Sequence, residues 1–471
     1  MALSYKQSVL VKGSIPDLRK HGETIAKLFY SDMLRGHPEL QVLFNTANQA
    51  TGRQPRALTS LILAFAANLN HTSELVPRLE RVCNKHCSLG IRPEHYDIVG
   101  KYLLQAFAQV LGRAWTPDLH AAWSHAYAVL SRMLIGREAQ LYREFAADTA
   151  TTTTTAHHRH DAASIRTTAT TNGNAPGAWT GWRPFRIDKR VDEADDMVSF
   201  YLYPVDGRRL PLFRPGQYVS LRVEVPELGG RPQMRQYALS EAPRPDYYRV
   251  TVRRDMGQLV SGEGTSGGVR YRPGVVSNLL LDDKWPGDTV ELSHPAGDFW
   301  VDEDALEAGR SLPLVLVSAG IGAAPLMAMF NGSVAAESPV PSRAGTPTTP
   351  SGKSSSSRTA PFQEHVRQVA GGRTNMSAHF FQSRVAEMDE FEADRDETER
   401  DLMALRMDLA SLAEAPETPL HLDHGAALYY ICGPEAFMEE TGRFLAERGV
   451  DRTRVKFEWF TTGDPAEKVV V

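Results

Sequence analysis

Two stretches of this chain carry residue types and spacings that suit chemistry. The first is LERVCNKHCSLGI, where His86 lies between Cys83 and Cys87. An imidazole near a helix end can ligate a metal, cap the helix or stand in solvent, and the residue alone leaves these open. Cys83 and Cys87 are separated by three residues and could share a helix face, but no second cysteine pair completes a zinc site. The second stretch, PLVLVSAGIGAAPLMAMF at 313–330, is an apolar strand, a turn with Gly320 and Gly322, then a helix. Glycines there let a dinucleotide approach the backbone. Its grammar recurs in ALYYICGPEAFM, where Cys432, Gly433 and Pro434 follow an apolar run.

Helices must position the histidine. TSLILAFAANL, HYDIVGKYLLQAFAQVL and LHAAWSHAYAVLSRMLIGREAQLYREF carry apolar residues at three- and four-residue spacing. Thr116 with Pro117 predicts a capped helix start, and Pro93 opens the helix before it. Residues 1–147 therefore read as an all-α domain. The Thr-rich stretch that follows has no hydrophobic period, so 148–178 is expected to be a flexible linker. His157, His158 and His160 fall in it and read as part of a solvated tract.

Strands follow. MVSFYLYPV, RPGQYVSLRVEV, MRQYALS and YYRVTVRR alternate and are broken by Pro and Gly, and PGDTVELSHPAGDFW adds another. Residues 179–308 are expected to form a small antiparallel β-barrel, and 309–471 an α/β domain. Within the latter, 331–361 is rich in Ser, Thr, Pro and Gly and reads as a disordered insertion, while 387–406 reads as an acidic exposed helix. Between 362 and 426 strand signals are sparse, with HVRQVA and HFFQ as weak candidates.

At 471 residues, 42% of them hydrophobic, the chain suits several cores, and its net charge of −5 offers no general attraction to nucleic acid or anionic membrane. Three cysteines exclude a disulfide framework and suit a reducing compartment. No apolar run reaches transmembrane length and MALSYKQ is no signal peptide, so a cytoplasmic monomer is expected.

The helical part resembles the flavohaemoglobins, the nitric-oxide dioxygenases of microbes and fungi. The matching segments are IAKLFYSDMLRGHPELQVLFN, NQATGRQPRAL, KHCSLGIRPEHYDIVGKYLLQAF and AWSHAYAVLSRMLIGREAQLY. The resemblance makes His86 the axial ligand of haem b. It makes Tyr96 and Glu138 the pair that hydrogen-bonds the ligand histidine and raises its electron donation. Tyr30 matches the tyrosine that donates to bound oxygen, with Gln54 as a second polar group. Leu58 and Phe44 match apolar residues around the haem, and Lys85 a lysine near the join with the reductase.

RPGQYVSLRV and MRQYALS resemble the flavin barrel of the ferredoxin–NADP reductase superfamily. Arg235 and Tyr237, with Gln236 between them, match its Arg-x-Tyr-Ser motif for FAD, but Ala238 stands where serine is usual. Gly274, Val276, Ser277 and Asn278 match the loop and helix facing the FAD diphosphate. AGIGAAP resembles the NAD(P)H-site loop, with Gly320 and Gly322 kept and Ala324 replacing threonine. Cys432, Gly433 and Pro434 match the family's Cys-Gly-Pro, and Glu458 in KFEWF the glutamate beside the flavin. HVRQVAGGRTNMSAHFFQSRVAEM resembles a degraded copy of the second strand, loop and helix. The implied reaction runs from NAD(P)H through FAD to haem, with oxygen and nitric oxide giving nitrate. Two alternatives stand beside it: a haem or flavin oxidoreductase acting on oxygen or peroxide, and a non-catalytic oxygen-binding sensor with an impaired reductase.

Overall fold

The computed structural model describes residues 3–43, 53–69, 71–151, 179–261, 269–272, 274–301, 312–337, 361–373, 375–380, 407, 409–415 and 419–460. Its first part is all helix: α1 (Tyr5–Gly13), α2 (Ile15–Gly36), α3 (Arg53–Ala67), α4 (Val76–Leu89), α5 (Pro93–Leu111) and α6 (Pro117–Thr151). Local chemistry sets the ends. Ser4 and Gln7 form a reciprocal cap on α1. Gly90 turns left-handed at φ 73° to end α4, where a side chain would be strained. Thr116 Oγ1 accepts from Leu119 N–H at 3.2 Å, as the sequence predicts for the start of α6. Helices α2 and α3 cross in close contact at Gly22, whose carbonyl accepts from Thr59 Oγ1 at 3.2 Å. The apolar faces of all six helices share one core.

The second part is an antiparallel sheet of β1 (Arg183–Ala194), β2 (Met197–Pro204), β3 (Tyr218–Val225), β4 (Arg231–Ala238), β5 (Tyr248–Arg253) and β8 (Thr289–Leu292). A hairpin, β6 (Gln258–Ser261) with β7 (Val269–Arg272), stands beside it. The sheet order is β4-β3-β8-β1-β2-β5. Its two edges touch through one bridge, Leu239 with Val250, so the expected barrel is a rolled sheet without closure along its length. Helix α7 (Val275–Asp283) plugs the sheet with Val276, Leu279, Leu280 and Leu281.

The third part holds three parallel strands, β9 (Leu314–Ser318), β10 (Leu428–Cys432) and β11 (Val455–Glu458), with β10 central. Helices α8 (Ala323–Glu337), α9 (Gln363–Gly371), α10 (Leu409–Glu414) and α11 (Glu435–Glu447) accompany them. HVRQVA lies in α9, so the strand expectation there is corrected. Its apolar residues Val366, Val369 and Ala370 recur at helical spacing, which a short window hides. His379 and Phe380 lie outside any strand, while 381–406, including the expected acidic helix, falls outside the described residues. The expected insertion also begins later than read: residues 331–337 are the end of α8, and 338–360 lie outside the description. Helix α6 likewise runs on to Thr151, and 152–178 is not described.

Candidate functional site

His86 projects from the last turns of α4 towards α5 and α6. Its Nδ1 lies 2.8 Å from Glu138 Oε1 and 2.9 Å from the Tyr96 hydroxyl. Tyr96 also donates to the same oxygen of Glu138. Both partners are buried, Glu138 at 3% exposure, so the carboxylate has given up water for these two donors. Burial pushes the Tyr96 phenol far above its ordinary value, with Glu138 adding to the effect, which keeps it a donor. Tyr127 holds the start of α5 by donating to the Tyr96 carbonyl at 2.6 Å. With Nδ1 so engaged, Nε2 has no hydrogen-bond partner among the described residues. A fixed imidazole with one free nitrogen fits an axial haem ligand.

Tyr30 on α2 is buried in the globin core edge-on to Phe29, and burial raises its phenol well above the ordinary value. Leu58 on α3 packs against that core and lines an apolar gap with Ile62, Leu103 and Phe107. Phe44 and the Gln54 side chain lie outside the described residues. Cys83 and Cys87 both turn to α6, with their sulfurs against the carbonyls of Leu134 and Glu138. Burial pushes the Cys87 thiol up to about 12, so neither thiolate nor zinc chemistry is set up there.

The reductase motifs converge at two places. The strand register aligns Ser318, Cys432 and Glu458 at the carboxyl ends of β9, β10 and β11, where open parallel sheets bind ligands. The loops beyond form a cleft lined by Arg253, Ile321, Pro434, Trp459 and Phe460. Gly322 is required: a Cβ would sit 2.1 Å from the Cys432 carbonyl oxygen. Gly433 is hemmed in by Phe437 and Ala319, and Gly320 turns at φ 56°. Ala324 is buried under the same turn and Cys432 is fully buried.

On β4, Arg235 and Tyr237 share a face. Burial lowers the Arg235 guanidinium. Gln236, on the opposite face, donates to Ser220 Oγ at 3.2 Å. Gly274 caps α7, Val276 is core and Ser277 is half-buried. Asn278 is already occupied, clamping the Asp255 backbone by two bonds of 3.1 Å, so its place is to shape the loop.

A globin family model matches residues 27–134. The chain is 38% identical over 466 residues to a flavohemoprotein of Bordetella parapertussis, covering 98% of this chain and 100% of that protein. It is 33% identical over 465 residues to a flavohemoprotein of Rhizobium meliloti, covering 97% and 98%. This chain belongs to the flavohaemoprotein family. A solved flavohemoglobin from Malassezia yamatoensis, with bound FAD and heme, has the same fold (TM-score 0.66, 23% identity, 98% of this chain and 100% of that one).

In this flavohaemoprotein the halves meet on α4, the helix that carries His86. Ser88 Oγ accepts from Ser220 Oγ at 2.9 Å, and Asn84 Oδ1 accepts from Gly297 N–H at 2.9 Å. Lys85 and Glu458 face one another electrically across the junction, since the carboxylate opposes the lowering of the buried ammonium. Burial raises Glu458 to about 8, with Asp298 adding and Arg81 and Lys85 opposing. Tyr218, from the GQY of β3, is drawn into the same cluster with Ser88, Glu458 and Asp298 around it. Sequence reasoning missed Tyr218, Asn84, Ser88 and Ser220. The one available signal was a polar, aromatic-capped turn, RPGQY, ahead of an otherwise apolar strand.

Proposed function

We propose that this flavohaemoprotein is a nitric-oxide dioxygenase using haem b, FAD and NAD(P)H. The observation that carries the reading is the His86–Glu138–Tyr96 triad. A buried carboxylate on Nδ1 makes the imidazole a stronger electron donor, which favours activating oxygen over carrying it. Haem would supply oxygen activation at iron, and FAD the conversion of a hydride into single electrons. Each NAD(P)H then serves two turnovers, two nitric oxides and two oxygens giving two nitrates, NAD(P)⁺ and one proton.

The chain's own residues have distinct parts. His86 ligates through Nε2, and Glu138 and Tyr96 fix the ring and its tautomer. Tyr30, held protonated by burial, donates to the oxygen substrate, assisted by Gln54; Leu58 and Phe44 shape the apolar side. Arg235, Tyr237, Gly274 and Ser277 hold the flavin. Gly320, Gly322, Cys432, Gly433 and Pro434 would receive the nicotinamide, with Glu458 on the neighbouring strand. Residues 1–147 form the globin unit, 179–308 the flavin unit and 309–471 the nucleotide unit. The protein acts as a monomer in the cytoplasm. Among the described residues no helix is long and apolar enough to cross a membrane.

The test is anaerobic stopped-flow absorbance of the cofactor-loaded protein mixed with NADH or NADPH, then with oxygen and nitric oxide. Flavin bleaching, haem reduction and nitrate formation in that order are expected. A second reading, an oxygen-binding protein with a weak reductase, is favoured by Ala238 and Ala324. Failure of both nucleotides to bleach the flavin, with normal oxygen binding after dithionite, would select it.

A further inference from the structure

Chain length alone does not fix how the two halves sit. Helix α6 ends at Thr151 and the flavin unit begins at Trp179. The intervening 27 residues, 152–178, are long enough to reach roughly 90 Å when extended. A connection of that length sets neither distance nor angle.

Contacts set both. Phe145, near the end of α6, stacks face to face on His294, with centroids 4.4 Å apart and planes 16° apart. Trp179 leans on the same imidazole at 5.3 Å. One side chain is therefore gripped by a residue just before the chain leaves the globin and by the residue at which it enters the flavin unit. Trp179 is itself held, donating from Nε1 to the Leu292 carbonyl at 3.1 Å under the Arg183 guanidinium. His294 is 7% exposed and donates from Nδ1 to the Pro295 carbonyl at 2.9 Å. Its Nε2 is buried and has no hydrogen-bond partner among the described residues.

His294 also opens a strap that reaches α4. Ala296 exchanges two backbone bonds of 2.9 Å with Tyr218 on β3. Gly297 then donates to Asn84, and Asp298 lies 3.8 Å from Arg81, both on α4. Gly297 has φ 125°, and a Cβ there would press on the Tyr218 ring at 3.1 Å. The strap His294–Asp298 thus has α4, which carries His86, on one side and the flavin strands on the other. His294 anchors its outer end to α6.

We propose that His294 is a positioning residue for electron passage between the two halves: clamped between Phe145 and Trp179, its ring sets the angle of the globin on the flavin sheet. The proposal rests on the redox reading above, because the angle matters only if electrons cross. What the clasp needs from His294 is a flat uncharged ring, so phenylalanine should replace it and alanine should not.

The test uses the full-length, cofactor-loaded protein with His294→Ala, His294→Phe and Phe145→Leu, the last approaching the same stack from the globin side. Three quantities are read: ferricyanide reduction by NADH or NADPH, which needs only the flavin; haem reduction under carbon monoxide; and the maximum dimension from small-angle scattering. His294→Ala and Phe145→Leu are expected to keep ferricyanide reduction within about twofold, slow haem reduction at least tenfold and lengthen the particle. His294→Phe should stay within about threefold of the parent in both reactions and keep its shape. The proposal is overturned if the alanine and leucine variants reduce haem normally, if both reactions fall together, or if phenylalanine behaves as alanine does. Should the parent take no electrons from either nucleotide, the redox reading fails and scattering alone decides the clasp. An unlengthened His294→Ala then overturns it.

Discussion

Glu138 Oε1 lies 2.8 Å from His86 Nδ1, although the two residues are 52 positions apart on different helices. The carboxylate is buried at 3% exposure and its near oxygen also takes the Tyr96 hydroxyl. Its negative charge is thus directed at the His86 ring. Glu138→Gln keeps a hydrogen-bond acceptor but removes the charge. The iron–histidine stretching frequency should fall, and nitric-oxide consumption should drop by about 10- to 100-fold, as loss of such a supporting group typically does. Resonance Raman and a nitric-oxide electrode measure the two. Unchanged values in both would remove the carboxylate from the reading of this site.

Tyr30 is buried and its phenol is pushed well above the ordinary value, so it donates at any physiological pH. Tyr30→Phe keeps the ring against Phe29 and removes only the hydroxyl. Oxygen dissociation from the reduced protein should quicken by about tenfold, the worth of a hydrogen bond to a charged group. Stopped-flow displacement of oxygen by carbon monoxide reads this directly.

How much of this was legible in the chain depends on the range of the interaction. Thr116, Pro117 and Pro93 act within one helical turn, and the sequence announced all three. The α4–α6 triad was legible only through family likeness, since nothing local marks Glu138 as facing inward. β1 went unread because Arg183, Arg186, Lys189 and Arg190 mask an alternation in which Phe185 and Ile187 face the core. The junction was least legible. Asn84 meets Gly297 across 213 positions and Ser88 meets Ser220 across 132, and polar residues at such spacings look like ordinary surface until the halves dock.

The α2–α3 crossing gives a prediction independent of any cofactor. A Cβ on Gly22 would fall 2.5 Å from Thr59 Cγ2, a contact no real side chain tolerates. Gly22→Ala should destabilise the globin unit by about 1–3 kcal/mol through overpacking. Thr59→Ser removes the offending methyl but keeps the hydroxyl that donates to Gly22 O. Combined with Gly22→Ala it should recover most of the loss, so a urea-denaturation double-mutant cycle should give a large coupling.

Ala238 pairs with Tyr218 across β3 and β4, at the place of the serine in the Arg-x-Tyr-Ser motif that this stretch resembles. Ala238→Ser adds one hydroxyl at a position only 8% exposed. If flavin lies against it, the added hydrogen bond should tighten FAD binding by about fivefold, roughly 1 kcal/mol. Fluorescence titration of the flavin-free protein measures the change; weaker or equal binding would place the flavin elsewhere or leave the hydroxyl unmet.

Acid should weaken the protein through His294. Burial lowers its pKa from the ordinary 6.5 to about 4, opposed only by the bond to the Pro295 carbonyl. Above pH 6.5 neither the folded nor the unfolded state protonates this ring, and the stability is at its full value. Between 6.5 and about 4 the unfolded chain takes up a proton that the folded one refuses, so stability falls as pH falls. Below about 4 both states are protonated and this contribution stops changing. The shift corresponds to on the order of 3 kcal/mol at most. His294→Phe has no proton to gain and no orphaned nitrogen to bury. Its thermal midpoint should exceed the parent's at pH 7 and the gap should widen towards pH 4.5. Parallel curves over that window would mean that the imidazole is already solvated or charged in the folded protein, and that the ring is not the dry clasp its neighbours Phe145 and Trp179 imply.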